Sequence, residues 1–258
     1  MDIHKPKAAH SVREFLIEIG TIICGILIAL SLEQGLEWFH WGHKAEEAEH
    51  AMRLELSNDD GPQAYARVAI TRCLDDKLNA IIRAVEAGSE GKKVVGEADS
   101  YEPPLRTWDR QSWEAAVGSD VASHIGADRL NLWSRVFDLT AMLNAQTSRE
   151  SNGIDLLTGG PGINGRLSQD QADRMIRAAK ALRRANFELG GVARLLLIWS
   201  KPLEALPSPE RRQQILTEAR ARYGPCVSEP QLDGPRPVSV EYINGRAMAG
   251  LAATEEAH

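Results

Sequence analysis

The chain has 258 residues and a formal net charge of −6, with 43% hydrophobic, 26% charged and 5% aromatic residues. That length holds one ordinary domain with smaller segments attached. The acidic balance leaves no basic face to neutralise phosphates and argues against nucleic acid as a partner, while the scarcity of aromatic residues favours helices over an all-β fold.

Residues 1–13 form a basic tail. Lys5, Lys7 and Arg13 give it a formal charge of +2 and leave −8 for the remainder. Ser11 followed by Glu14 fits a capping box, so the first helix is expected to start there. Phe15 to Leu32 is the longest apolar run, and only Glu18 interrupts it with charge. As a helix it spans about 27 Å, against a hydrocarbon core of about 30 Å. Residues 14–36 are therefore read as a single transmembrane helix, and Trp38, Phe39 and Trp41 as an interfacial aromatic belt beyond it. A cleavable signal peptide is the competing reading, because Ala29-Leu30-Ser31 has the small-x-small form of a cleavage site. No Pro or Gly breaks the helix between Ile26 and Gln34, which opposes it. Only Lys44 falls between Glu33 and Glu47, so the lysine and arginine bias places the tail in the cytoplasm and the bulk outside. In a Gram-negative cell that means the inner membrane and the periplasm.

Residues 37–60 read as a helical stalk ending at the breaker cluster Ser57 to Pro62. Residues 61–225 read as an exterior helical domain. Ile70, Leu74, Leu78, Ile81 and Val85 recur on one face of a helix expected over 63–87. A loop is expected from there to Thr107, then a short helix over 108–117 and a turn region over 118–126. A long helix follows over 127–157 and, after the glycine-rich loop 159–165, another from the Ser168/Gln171 capping box to Trp199, with Gly190-Gly191 as a bend. The last helix is punctuated by Ser208-Pro209 and Gly224-Pro225. Residues 226–258 read as extended, with a strand over 238–243 that lacks an evident partner and a disordered end. The fold class is all-α: a membrane helix, a stalk and a helical bundle.

Of the three cysteines, Cys24 lies in the span, whereas Cys73 and Cys226 fall in the exterior part. Two thiols in an oxidising compartment invite a disulfide, with free thiols or intermolecular links as the alternatives. Within the span, Thr21, Gly25 and Ala29 recur every four residues, with Glu18 on the same face. Such small residues permit close helix approach. The face reads either as a seam for a second copy or a partner helix, or as a boundary segment whose Glu18 reaches the headgroups. His40, His43, Glu47 and His50 have helical spacing but lack the His-Glu-x-x-His order, so they read as a solvated face and not a metal site. The 159–165 loop has no Gly-Lys-Ser/Thr and follows a helix, so it is not a phosphate loop. Beyond the stalk only His124 and His258 remain as imidazole bases, which disfavours an enzyme. No cofactor is expected.

Arg13-Glu14-Phe15, Glu18-Ile19-Gly20, Gly25 to Leu30 and Glu33-Gln34 resemble the N-terminal signature of a group of proteobacterial membrane proteins. Cys73 and Trp113 extend the likeness weakly. The resemblance implies one N-terminal span followed by a helical region of about this length, in a Gram-negative inner membrane. It implies no catalytic residue. The expected function is a membrane-anchored, non-enzymatic module that binds a partner or ligand. The alternative is a sensory input subunit acting through a partner transmembrane protein.

Overall fold

The computed structural model describes residues 12–88, 91–104, 106–158 and 166–233, and the backbone of 240–243 and 246–249. Ser11, the lysines of the tail, the 159–165 loop and the chain end lie outside the described residues. The protein is helical, and its first helix is long, apolar and near the N-terminus.

That helix does not stop at the breaker cluster. α1 (Val12–Glu55) passes into a π-helical segment (Leu56–Asp60), which passes directly into α2 (Gly61–Glu86). The result is one rod about 110 Å long at 1.5 Å per residue. The expected break between stalk and domain is thus corrected, and the reason is burial. Leu56, Asp60, Gly61 and Pro62 are all enclosed while Asn58 and Asp59 stay exposed, so breaking the helix here would uncover its buried side. Pro62 cannot donate to an i−4 carbonyl, and its ring would clash there. The wider π register relieves this: Gly61 N–H bonds to Leu56 O, five residues back. A side chain at Gly61 would lie 2.4 Å from Leu56 O and 3.1 Å from Pro207 Cδ, so glycine is needed for the close approach.

α3 (Gly91–Asp99) lies where a loop was expected. Its buried apolar side chains are only Val94 and Ala98, one turn apart, with Val95 half-buried beside them. α4 (Gln111–Gly118) begins three residues later than expected and leaves Trp108 in the preceding segment. A 3₁₀ turn (Val121–His124) occupies part of the expected turn region. α5 (Ala127–Thr158), α6 (Gln169–Ser200) and α7 (Pro209–Tyr223) follow. The Ser168/Gln171 capping box forms, and Ser208 Oγ accepts from Arg211 N–H. α6 runs on through Gly190. That glycine serves packing and not bending, since a Cβ there would meet Thr71 Oγ1 at 2.4 Å.

α6 lies between α2 and α5, and α7 packs on α2. Their core includes Tyr65, Leu74, Ile81, Trp133, Phe137, Leu143 and Leu189. Inside it lies an ion pair. Arg67 of α2 donates two bonds to Glu150 of α5, at 2.9 and 2.7 Å, and a third to Asn186 Oδ1 of α6 at 2.8 Å. Tyr101 O–H donates to the same carboxylate at 3.0 Å, and Asn186 Nδ2 donates to Thr71 O at 2.9 Å. Cys73 and Cys226 are joined by a disulfide across 153 positions. Beyond it the chain runs along α2, where Ser228 N–H bonds to Ala69 O at 3.1 Å. β1 (Val240–Ile243) does have a partner, pairing antiparallel with β2 (Arg246–Ala249).

Removing one member of a buried ion pair strands the other charge. Glu150→Ala is expected to cost about 3–5 kcal/mol in urea unfolding, with Arg67→Met/Glu150→Leu costing less. Equal losses in both would mean the charges contribute only through volume. Reduction of Cys73–Cys226 is expected to cost about 2–4 kcal/mol, because the cross-link closes a long loop of the unfolded chain. Unchanged gel mobility on reduction, with both thiols open to labelling, would contradict the bond.

Candidate functional site

The apolar stretch of α1 touches nothing else in the described chain. Phe15, Leu16, Ile22, Ile26 and Leu30 are all exposed. Glu18, Thr21, Gly25 and Ala29 share one exposed face, and no atom comes within 4 Å of a Cβ built at Gly25. Thr21 Oγ1 donates to Ile17 O at 2.9 Å, which satisfies the hydroxyl within its own helix. Trp38 and Phe39 are 73% and 71% exposed and meet edge to face at 5.2 Å. Trp41 differs. It is half-buried and stacks on His124 of the 3₁₀ turn, with ring centroids 4.3 Å apart and planes 8° apart. Lys44 Nζ sits 5.0 Å from the same indole. His124 is thus a packing partner of the rod. On the rod itself His43 Nε2 meets Glu47 Oε1 at 3.2 Å, both exposed. Among the described residues no three His, Cys, Asp or Glu side chains converge as metal ligands.

Two other places combine polar groups that sequence spacing did not single out. The first is the π segment. Asp60 is wholly buried and accepts one bond, from Asp109 N–H at 3.2 Å, while its second oxygen has no partner. Glu55 accepts from Ser112 N–H at 2.8 Å, and its other oxygen is likewise unpaired. The donor amides come from the 108–112 segment. That segment is held by Asn144, whose side chain bonds both the N–H and the C=O of Trp108, and by the Trp108 Nε1–Thr147 Oγ1 bond at 3.1 Å. Burial pushes the Asp60 carboxyl up to about 7, the Asp109 amide opposes this, and the nearby charges of Glu55, Asp109 and Asp59 add to it.

The second place is a cleft of about 170 Å³ between α2, α7 and the segment after α3. Pro62, Ile70, Ile215 and Ala219 give it a buried apolar floor. Arg106, Arg211, Glu218 and Arg222 stand around it. Arg222 pairs with Glu102 at 3.1 Å, and Tyr223 O–H donates to Glu102 O at 3.0 Å. Neither Arg106 nor Arg211 has an acidic partner within ion-pair distance among the described residues. Arg106 retains an exposed side, but enclosure of the rest draws its pKa down; the neighbouring Arg211 charge adds to this, while Tyr223 and Glu218 oppose it. A more open, polar depression adjoins the cleft at Pro104, Arg106 and Arg222.

No family model, curated protein or solved structure matches this chain. The likeness in the first helix therefore rests on the residues quoted for it alone.

The Asp60 proton gives a pH dependence of definite sign. The folded chain keeps it up to about pH 7, whereas the unfolded carboxyl releases it near the ordinary value of 3.8. Between those values the folded state binds more protons, so stability falls as pH rises and stays low above the folded pKa. Asp60→Asn is expected to remove this loss. It should stabilise the protein by on the order of 3 kcal/mol at pH 8 relative to its effect at pH 4. An identical effect at the two pH values would show that Asp60 does not titrate abnormally.

Proposed function

We propose that the protein is a membrane-anchored exterior module that binds a partner or ligand and performs no catalysis. The observation that carries this reading is the continuity of the rod: an exposed apolar length and the central core helix are one uninterrupted helix. An apolar stretch exposed on every side is unfavourable in water and matches a hydrocarbon environment. In this reading Phe15–Leu32 crosses the inner membrane of a Gram-negative cell. Residues 1–13 stay in the cytoplasm, and a helical bundle stands in the periplasm. An oxidising compartment also suits the Cys73–Cys226 bond. Trp38 and Phe39 serve as the interfacial anchor, while Trp41 is given over to holding the 3₁₀ turn against the rod.

The face formed by Glu18, Thr21, Gly25 and Ala29 is the contact for a second copy or a partner helix. Its small residues let helix backbones approach, and Glu18 at its edge reaches either the partner or the headgroups. A sensory input role through a partner transmembrane protein is the second reading. The rod favours it, because a stiff helix from core to span carries displacement between them.

The full chain is expected to stay with membranes through alkaline carbonate washing. Its domain should be digested by protease added to intact spheroplasts and spared inside sealed inverted vesicles. Release by carbonate would end the anchored reading, and the reverse protease pattern would end the orientation. Gly25→Ile is expected to weaken self-association or partner association in neutral detergent by about tenfold, roughly 1.4 kcal/mol. Association that survives unchanged would exclude the seam.

A further inference from the structure

The cleft between α2 and α7 is the feature that the anchored-module reading leaves unused. We infer that it binds a small organic anion carrying a short apolar chain. Its floor is apolar and buried at Ile70 and Ile215, while Arg106 and Arg211 on its rim lack acidic partners among the described residues. Both side chains are exposed at the rim, where a carboxylate or phosphate answers a guanidinium with two parallel hydrogen bonds. The overall charge of −6 gives anions no general attraction, so any attraction here comes from the local arginines.

Size and position narrow the ligand. At about 10–15 Å³ per water, a volume of about 170 Å³ holds on the order of a dozen waters, which admits an anion the size of butyrate. Pro62 lies thirty residues beyond Leu32 on the rod, about 45 Å along its axis. Headgroups of the bilayer that holds the span are therefore out of reach, and the ligand is a soluble exterior molecule. That exterior source rests on the anchored reading, whereas the chemistry of the cleft does not.

The test is equilibrium binding by ligand-observed NMR on the full chain in neutral detergent, where membrane topology has no influence. Butyrate and butyl phosphate are expected to saturate with Kd near 1 mM, about −4 kcal/mol. Butanol and inorganic phosphate should each bind at least about tenfold more weakly, since each lacks one half of the recognition. Arg106→Gln and Arg211→Gln should each weaken butyrate several-fold, and Glu218→Gln should strengthen it. Absence of saturation by about 20 mM, unchanged affinity in both arginine variants, or weakening by Glu218→Gln would each overturn the proposal. Inorganic phosphate binding as well as butyl phosphate would overturn the apolar requirement. In nanodiscs, competition by anionic but not zwitterionic lipid would assign the cleft to headgroups and overturn the soluble ligand.

Discussion

The buried Arg67–Glu150 pair sets how the three long helices of the domain meet. Its members and their supports come from α2, α5, α6 and the segment after α3, so each element must be in register before the charges are satisfied. Two ions taken out of water cost several kcal/mol each, and their attraction offsets this only when the surrounding hydrogen bonds are complete. Here the carboxylate receives bonds from Arg67 and Tyr101, and the guanidinium gains Asn186 as a third contact. Arg67 Nε alone has no partner. An alternative packing of the same apolar faces would strand at least one of these groups. The pair thereby selects one arrangement among several that hydrophobic burial would permit. The same network holds Tyr101 protonated, through burial and the adjacent Glu150 charge.

α5, α6 and α7 were legible in the chain because their determinants are local. Caps at Ser168 and Ser208, Pro209 in a first turn and an apolar stripe all lie within a few residues of what they determine. The π segment misled for the opposite reason. Ser-Asn-Asp-Asp-Gly-Pro is a sound stop signal in water, but Leu56, Asp60 and Gly61 are enclosed by distant parts of the chain, among them Pro207. Tertiary burial overrode the local preference, and the chain answered the proline by widening one turn. α3 was missed because nine residues with two buried side chains carry too little periodicity to stand out from a loop.

The polar sites were illegible for a related cause. Arg67 and Glu150 are 83 positions apart, and Arg67 and Asn186 are 119 apart. No spacing rule reaches across such distances, and a carboxylate on a helix is ordinarily solvated. Asp60 differs from Asp59 in the sequence by one position and in the structure by complete burial. The cleft likewise draws on α2, α7 and a proline-containing connector. Its arginines were three among many in a chain with 30 lysines and arginines.

Two departures from ordinary folding rules lie next to each other. Asp60 ends the π segment with a buried, half-satisfied carboxyl, and Pro62, two residues on, already lines the cleft. The first turn of α2 therefore contributes to the floor of the cleft and is the joint between the rod and the domain. The hydrogen bonding of that turn is irregular, with Gly61 bonded five residues back. The joint is braced by Pro207 against Gly61 and by the Asp109 amide on Asp60. The cleft and the π segment thus meet at one turn of helix, with the rod that leads to the apolar stretch on the far side of it.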